Sequence, residues 1–218
     1  MPRQARSGVT RRKIITAAVD VFSEMGYPAT GLGEIIERAE MTKGALYYHF
    51  DSKESLAEAI IDESGATMLA ALRSITESAS PALENIIHGT FVVCDFSRTD
   101  KVAEIGIQLL RTFTGINEVA KRVYTSWLDE LTEQMGKAAT EGDLRTDLDV
   151  QAAADVILGS VLGAEALSRA GVTDLDLRQR VARTWELLLP SIVSEESLGY
   201  FREFLARESL RRSPPAPD

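Results

Sequence analysis

The sequence predicts an all-α protein in which a small N-terminal unit of three helices is joined to a larger helical unit. Two observations lead to this prediction. Apolar residues recur at intervals of three and four along most of the 218 residues, which is the spacing of one face of an α-helix. From residue 82 onwards no segment shows the alternation of apolar and polar residues that a strand requires, and glycine or proline separates the helical segments.

The first helix carries an apolar stripe and begins in a basic stretch. The stripe consists of Ile14, Ala18, Val21, Phe22 and Met25. It is followed by Gly26, and glycine commonly ends helices. The basic residues are Arg3, Arg6, Arg11, Arg12 and Lys13. A basic arm of this kind can lie along phosphates or reach into a minor groove.

Two short helices separated by a tight turn follow the first helix. The spacing of apolar residues predicts a helix over residues 32 to 39, and a second helix covers residues 42 to 50. Only Glu40 and Met41 lie between them, and so short a connection is typical of a helix-turn-helix. The apolar face of the first of these two helices consists of Leu32, Ile35, Ile36 and Ala39.

The helix over residues 42 to 50 has one face that can pack and one that can contact DNA. Thr42 is a suitable N-cap, and Leu46 and Phe50 share the packing face because they are four residues apart. The other face consists of Lys43, Gly44, Ala45, Tyr47, Tyr48 and His49. Its small residues would let the backbone approach base edges in a major groove, while its polar side chains reach phosphates. The alternative interpretation is a surface helix with two exposed tyrosines.

A fourth helix is predicted over residues 53 to 73, after Ser52 as its N-cap. Its apolar members are Leu56, Ala59, Ile60, Met68, Leu69 and Leu72. Residues 62 to 67 interrupt this stripe with polar and small side chains. They form either a solvated turn of the helix or the place where it meets a polar cavity or bends.

Six further helices are predicted, over residues 82–97, 101–113, 117–141, 149–170, 176–189 and 195–211. The breaks are expected at Thr114-Gly115, Gly142-Asp143, Gly171 and Pro190. This organisation predicts a helix-turn-helix DNA-binding domain with its N-terminal arm over residues 1–52, a helical domain for ligand binding and dimerisation over residues 53–212, and a disordered tail over residues 213–218.

The helix over residues 149 to 170 is rich in small side chains. Gly159 and Gly163 are four residues apart, so they share one face of the helix. The small residues around them are Ala152, Ala153, Ala154, Ser160, Ala164 and Ala166. Small residues permit the close approach of another helix, so we expect this helix and the apolar segment 181–189 to join two copies of the chain. The alternative is an interior helix of a monomer.

Composition excludes several classes of protein. No apolar run approaches the 18 residues of a membrane-spanning helix, and the N-terminus lacks the apolar segment of a signal peptide, so we expect a cytoplasmic protein. The single cysteine, Cys94, cannot form a disulfide within the chain, and its apolar neighbours favour a buried thiol over a reactive one. Two histidines exclude a histidine-rich metal site, and no GxSxG, Walker or HExxH motif occurs. We therefore expect no enzyme, no cofactor and no metal ion.

The net charge of −9 is unevenly distributed along the chain. Residues 1 to 55 carry a net charge of +1, and the remaining residues carry −10. The acidic part of the molecule would discourage non-specific adhesion to DNA, while the basic N-terminal stretch can still bind phosphates.

The segments 26–35 and 41–54, the second of which contains MTKGALYYHF, resemble the DNA-binding domain of the TetR family of repressors. The resemblance covers roughly residues 9 to 60 and implies an all-α homodimer that releases a near-palindromic operator when a small ligand enters the C-terminal domain. The residues it places at the DNA are Arg11, Thr30, Gly31, Thr42, Lys43, Gly44, Ala45, Tyr47, Tyr48, His49 and Lys53. Gly31 replaces the usual Ser or Thr at a helix start, and Glu40 replaces a usual Gly, which costs about 1 kcal/mol if that residue is left-handed.

Trp127 is the best candidate for a ligand contact. A tryptophan on a long helix is most often a core residue, but aromatic side chains also line pockets and hold apolar ligands. The spacing to Trp127, the segment that begins at Gly159 and the ending 188–193 resemble the γ-butyrolactone receptor branch of the TetR family, found in actinomycetes. The ligand contacts that this resemblance implies are Trp127, Ser64, Gln108, Leu109, Val161 and Leu162. Gln108 stands where arginine is common and Leu162 where several relatives have a hydroxyl, so the ligand's identity stays open.

Three functions are compatible with these observations. The first is a transcriptional repressor that a small lipophilic ligand of the γ-butyrolactone type releases from its operator, in the control of secondary metabolism. The second is a TetR-type repressor that senses an antibiotic or another xenobiotic and controls efflux or biosynthesis genes. The third is a helical enzyme or an interaction module with a vestigial N-terminal unit, which the missing catalytic motifs disfavour.

Overall fold

The computed structural model describes residues 2–77, 80–115 and 117–211. Within these ranges the regular structure is α-helical, apart from one isolated antiparallel bridge between Leu144 and Val193. The helices are α1 (Pro2–Met25), α2 (Leu32–Arg38), α3 (Lys43–Tyr47), α4 (Lys53–Thr76), α5 (Ala82–Thr99), α6 (Lys101–Thr112), α7 (Glu118–Glu141), α8 (Val150–Arg169), α9 (Leu177–Ile192) and α10 (Glu195–Leu210). The predicted all-α class is confirmed. The predicted tail at 213–218 and the side chains of Arg3 and Arg6 lie outside the described residues.

The expected break at Pro190 is wrong, because α9 continues to Ile192. Proline removes one N–H from the helical hydrogen bonds and crowds the preceding turn. Here Pro190 lies in the last turn, where the Val193 N–H still donates to the Leu189 carbonyl at 3.0 Å. Leu189 and Ile192 are both buried, so the packing of this last turn offsets the missing hydrogen bond.

The chain divides into two compact units, which are described separately. The first unit comprises residues 1–67 and 100–123, so it includes α6 together with the N-terminal helices. The Lys101 ammonium lies 2.5 Å from the Asp20 carboxylate and joins α6 to α1. The predicted boundary after residue 52 was placed by sequence pattern alone and differs from this division; as a boundary between functions it stays a prediction.

Residues 64 and 65 pack closely within the first unit. The Ser64 side chain lies where a Cβ at Gly106 would stand, so α4 and α6 can meet at this point only because residue 106 is glycine. A Cβ at Gly65 would come within 2.8 Å of the Val123 side chain. The α4 helix is unbroken through residues 62–67; within this stretch Ser64 and Gly65 are buried in close helix contacts, while residues 62, 66 and 67 are exposed.

The second unit comprises residues 68–99 and the described residues after 123. Its core forms around the large side chains of Phe91, Trp185 and Phe201, each at most 1% exposed. Cys94 belongs to the same core, and burial raises the pKa of its thiol to about 12. The thiol is therefore protonated at neutral pH, and of the two interpretations the buried one is confirmed.

Helix α8 leaves its two glycines uncovered in the single chain, while Ala153, Ala154 and Ala164 are buried. A Cβ at Gly159 or Gly163 would meet no atom within 4 Å, and both residues are exposed. Val156 and Leu167, which are large and apolar, are 50% and 49% exposed. This helix also has the length and composition of a membrane span, with a mean hydropathy of 1.4, although core helices of soluble proteins pass the same test. The expectation based on apolar run length missed this property, because Asp155, Ser160 and Glu165 interrupt the run, whereas a mean over 18 residues includes them.

Candidate functional site

Helix α3 is held by one cap and one buried face. The Thr42 hydroxyl oxygen accepts a hydrogen bond from the Ala45 N–H at 3.2 Å, as predicted for an N-cap. Leu46 and Phe50 are 0% and 4% exposed and pack on the interior side. The last turn tightens, because the His49 N–H donates to the Leu46 carbonyl at 2.9 Å, so α3 itself is shorter than the predicted range.

The opposite face of α3 is open. Lys43 and Gly44 are exposed, and a Cβ at Gly44 would meet no atom within 4 Å. Beyond them Tyr47 and Tyr48 are 42% and 75% exposed, and His49 is half-buried. The face is therefore thin at its N-terminal end and carries hydroxyl groups further along, which is the shape and chemistry that a major groove with its flanking phosphates accepts.

The turn before α3 contains a strained residue. Glu40 has φ 50, which is the left-handed region where glycine is favoured. Its carboxylate lies 3.8 Å from the Lys13 ammonium, a weak pair between exposed groups. The other departure, Gly31, lies in an extended conformation before α2, where its N–H donates to the Glu34 carboxylate at 3.0 Å. Glu34 thus supplies one of the two hydrogen bonds of a capping box, and the one that needs a side-chain oxygen at position 31 is not made.

Two residues that were predicted to contact DNA are already engaged inside the first unit. Thr30 is 2% exposed, and its hydroxyl donates to the Gly26 carbonyl at 2.9 Å. The Lys53 ammonium donates to the carbonyls of Tyr27 at 2.8 Å and Thr30 at 2.6 Å, with that of Pro28 at 3.5 Å. The three donors of an ammonium are thereby directed at the turn between α1 and α2. Thr30 and Lys53 therefore hold this turn in place, and the DNA contacts that the resemblance implies for them stay predictions.

Arg11 lies beside the end of α3. Its guanidinium is 5.4 Å from the centroid of the Phe50 ring and 3.8 Å from the Glu63 carboxylate. Its side chain is 45% exposed, so the charge remains accessible to an anion at the surface. The accessible side chains of the first unit thus include Arg11, Thr42, Lys43, Tyr47 and Tyr48.

The second unit contains a cavity with a volume of about 100 Å³. Its walls come from the end of α4 and from α5, α7 and α8. Its apolar lining includes Met68, Leu72, Ile86, Val93, Leu131, Ile157 and Leu158. A mostly apolar cavity of this kind suits a small lipophilic molecule.

The cavity gathers half of the predicted ligand contacts. Those on its lining are Trp127, Val161 and Leu162. Trp127 is 7% exposed, so it is both a core residue and part of the cavity wall. The others, Ser64, Gln108 and Leu109, belong to the first unit and are not among the lining residues. Ser64 donates to the Ile61 carbonyl at 3.0 Å, and Leu109 is 2% exposed.

Sequence reasoning missed the polar members of this lining. Glu130 and Gln134 line the cavity from α7, three and seven residues after Trp127. Helical spacing could have found them, because positions i, i+3 and i+7 share one helix face. Thr90 is also on the lining, and its hydroxyl oxygen accepts a hydrogen bond from Trp185 Nε1 at 2.9 Å. In the described part of the chain no three His, Cys, Asp or Glu side chains are arranged to hold a metal ion.

Family comparisons match both parts of the chain. Residues 14–60 match the model described as "Bacterial regulatory proteins, tetR family". Residues 80–194 match the model described as "Tetracyclin repressor-like, C-terminal domain". The first range contains α2, α3 and the turn between them, and the second contains most of the residues that line the cavity.

Individual relatives match nearly the whole chain. The A-factor receptor protein of Streptomyces griseus is 33% identical over 202 residues, which is 93% of this chain and 70% of that protein. A solved structure of a γ-butyrolactone receptor, described as an ArpA-like protein, has a TM-score of 0.77 and 29% identity and covers 94% of this chain and 98% of that one. The structure of CprB from Streptomyces coelicolor with its biological operator sequence has a TM-score of 0.73 and 30% identity, with coverages of 93% and 97%.

Proposed function

Because the chain belongs to the tetR family of bacterial regulatory proteins, we propose that it is a transcriptional repressor that a small lipophilic ligand releases from its operator. The observation that carries this proposal is the open face of α3, held by the Thr42 cap and presented next to Arg11. CprB, a relative of similar length, is described in complex with its operator. The family consists of regulators, and we propose no catalytic activity, cofactor or metal ion for this member.

The proposed DNA interface divides into two kinds of contact. Lys43, Gly44 and Ala45 would face base edges in the major groove, since the backbone is least covered there. Arg11, Thr42, Tyr47, Tyr48 and His49 would contact phosphates on either side. Gly31, at the start of α2, would add a backbone contact, while Thr30 and Lys53 hold the preceding turn in place.

The proposed ligand site is the cavity of the second unit. The relatives named as receptors of A-factor and γ-butyrolactone support a ligand of the butyrolactone type, and with it a role in secondary metabolism. The apolar lining suits the acyl chain of such a molecule, and Trp127 offers a flat surface against it. Val161 and Leu162 complete the predicted contacts in this unit. Ser64, Gln108 and Leu109 belong to the first unit, and as ligand contacts they stay predictions.

We further propose that the protein is a homodimer joined through α8 and α9. The uncovered faces around Gly159 and Gly163 and the exposed Leu187 of α9, at 78%, form a surface that a second copy can cover. Two recognition helices held about 34–36 Å apart, or a multiple of that distance, would read a near-palindromic operator. A protein that acts on chromosomal DNA works in the cytoplasm and needs no membrane.

The ligand would act through α4, whose residues 53–67 belong to the first unit and 68–76 to the second. Met68, Leu72 and Thr76 line the cavity, so a bound molecule touches this helix directly. Release of DNA requires the ligand to bind the DNA-incompetent form more tightly, and operator DNA must then lower ligand affinity by the same factor.

The proposal is tested by operator binding with and without candidate ligands. The wild-type protein should shift DNA from its own upstream region, and a butyrolactone with an acyl chain should abolish that shift. Trp127→Ala should bind the same DNA but lose the response, because it removes a cavity wall and leaves α3 intact. Trp127→Phe is the matched control and should keep part of the response. Release of the Trp127→Ala protein at wild-type ligand concentration would place the ligand elsewhere, and release by antibiotics alone would favour the xenobiotic-sensing alternative.

A further inference from the structure

The lining of the cavity in the second unit includes the Glu130 carboxylate, whose ion pair with Arg73 the family comparison does not assign. We propose that the Glu130 carboxylate selects ligands whose polar head is a hydrogen-bond donor, such as a hydroxyl group, and discriminates against ligands that carry a carboxylate. This inference rests on the proposed function, because it takes the cavity to be the ligand site. It adds the chemistry of the ligand's head group, which neither the fold nor the relatives' names provide.

Glu130 is fixed in place by two neighbours. One of its carboxylate oxygens accepts a hydrogen bond from Arg73 Nε at 2.7 Å, and the other accepts from Gln134 Nε2 at 3.1 Å. The Glu130 side chain is 9% exposed and Gln134 is 3% exposed, whereas the Arg73 side chain is 59% exposed. The carboxylate and the amide thus line the cavity, while the guanidinium that pairs with them stands largely in solvent.

A carboxylate held in this way can still accept hydrogen bonds from a ligand. Its two oxygens offer about four acceptor positions, and the two hydrogen bonds described use two of them. An ionised carboxylate has no proton to give, so only a ligand that donates can satisfy the rest. A second carboxylate in the same cavity would face a fixed negative charge at low local dielectric.

The other polar groups of the lining do not compensate for this charge. No Lys, Arg or His occurs among the residues that line the cavity. The hydroxyl groups of Thr76 and Thr90 donate their protons to the carbonyls of Arg73 at 3.0 Å and Ile87 at 2.7 Å. The Asn85 amide also donates to the Ser80 carbonyl at 3.3 Å, and the Gln134 amide donates to Glu130 at 3.1 Å. These donors are engaged within the protein, and an anionic head group would meet the Glu130 charge without a cationic side chain among the described lining residues.

Three probes with the same chain and different heads test this selectivity: 1-octanol, octanoate and octylammonium. Binding to the full-length protein is measured at pH 8 by tryptophan fluorescence. We expect the wild-type protein to bind 1-octanol and octylammonium at least about tenfold more tightly than octanoate, as expected for a like charge placed opposite Glu130. A wild-type protein that binds octanoate as tightly as 1-octanol overturns the proposal.

Glu130→Gln keeps the size of the side chain and removes its charge. In this variant the preference for 1-octanol over octanoate should fall to less than about threefold, because an amide can also donate to the ligand. Glu133→Gln is the matched control, since Glu133 lies on the same helix, is 64% exposed and pairs with Lys137; it should keep the wild-type ratio. An unchanged ratio in Glu130→Gln contradicts the inference.

A second variant keeps the proposal testable even if Glu130→Gln does not fold. Arg73→Gln removes the cation that partly neutralises Glu130 from a mostly exposed position, so it should increase discrimination against octanoate. If the preference for 1-octanol over octanoate falls in Arg73→Gln, the residue that discriminates between head groups is Arg73, and the proposal is overturned. Failure of all three probes to bind would reject the cavity as a ligand site together with this inference. If the probes release operator DNA and Glu130→Gln keeps the wild-type preference for 1-octanol over octanoate, the proposed function stands and this inference alone is rejected.

Discussion

Two candidate contacts of the first unit, Thr42 and Thr30, are held by residues close in sequence, whereas the cavity of the second unit is lined by four helices. Thr42 caps α3 through a residue three positions away, and Thr30 is fixed by Gly26 four positions away. The cavity instead combines side chains from α4, α5, α7 and α8. Substitutions at Thr42 or Thr30 should therefore change one local hydrogen bond, while those on the cavity lining should change a surface that four helices form.

The largest effect is expected on the face of α8 that is proposed to join two copies of the chain. Gly163→Leu places a large side chain where the single chain has open space, so the chain itself should fold and even gain up to about 1 kcal/mol of helix stability. The proposed dimer, in contrast, should be lost, because a leucine prevents the close approach of the second helix. Light scattering at micromolar concentration measures the mass, and thermal unfolding measures stability.

Gly136→Leu is the control for this variant, since a Cβ at Gly136 also meets open space but lies on α7. It should remain a dimer. A Gly163→Leu protein of wild-type mass would show that α8 does not form the interface. A wild-type protein that is monomeric would remove the dimer from the proposal altogether.

The next effect concerns Lys53, where two physical roles predict different salt dependence. Lys53→Met removes the hydrogen bonds to the carbonyls of Tyr27 and Thr30, and loss of charge-assisted hydrogen bonds should lower the free energy of unfolding by about 1.5–3 kcal/mol. Operator binding should weaken through the displaced turn, while the slope of log K against log salt stays the same. A phosphate contact would instead reduce that slope by about one and leave stability unchanged.

A smaller and more selective effect is expected at Lys43. Its side chain is exposed at the thin end of α3, so Lys43→Ala should leave folding unchanged. If the side chain reaches a base edge, the variant should lose about 1–3 kcal/mol of discrimination at one base pair. Binding to a panel of operators with single substitutions measures this loss. Uniform weakening across the panel would assign Lys43 to a phosphate.

The sequence predicted the first unit better than the second, for a physical reason. Helix order, the Thr42 cap and the conditional strain at Glu40 depend on local spacing and backbone conformation, and the structure confirms all three. The role of Lys53 and the place of α6 in the first unit depend on contacts between residues more than 20 positions apart. No periodicity within one helix contains that information.

Contacts between residues distant in sequence also limit what could be predicted about the cavity. Trp127 was identified as a ligand candidate from its residue type and from resemblance, and it does line the cavity. Ser64 was assigned by resemblance alone, and the structure places it against Gly106 instead. Glu130 lies on the same helix face as Trp127, but only the three-dimensional arrangement reveals that Arg73 pairs with it.

The smallest effect is expected at Glu40, where the strain arises from the residue's own backbone conformation. Glu40→Gly removes a side chain from a left-handed residue, where glycine avoids a steric cost of roughly 1 kcal/mol. The substitution also removes the ion pair with the Lys13 ammonium at 3.8 Å, and a pair between exposed groups contributes little. The variant should therefore be more stable by about 0.5–1 kcal/mol.

Glu37→Gly is the matched control: it removes the same charge from the helical end of α2, where glycine should instead destabilise by about 0.5–1 kcal/mol. Chemical denaturation of both variants gives the two signs, and destabilisation by Glu40→Gly would show that the Glu40 side chain makes a contribution larger than its backbone strain.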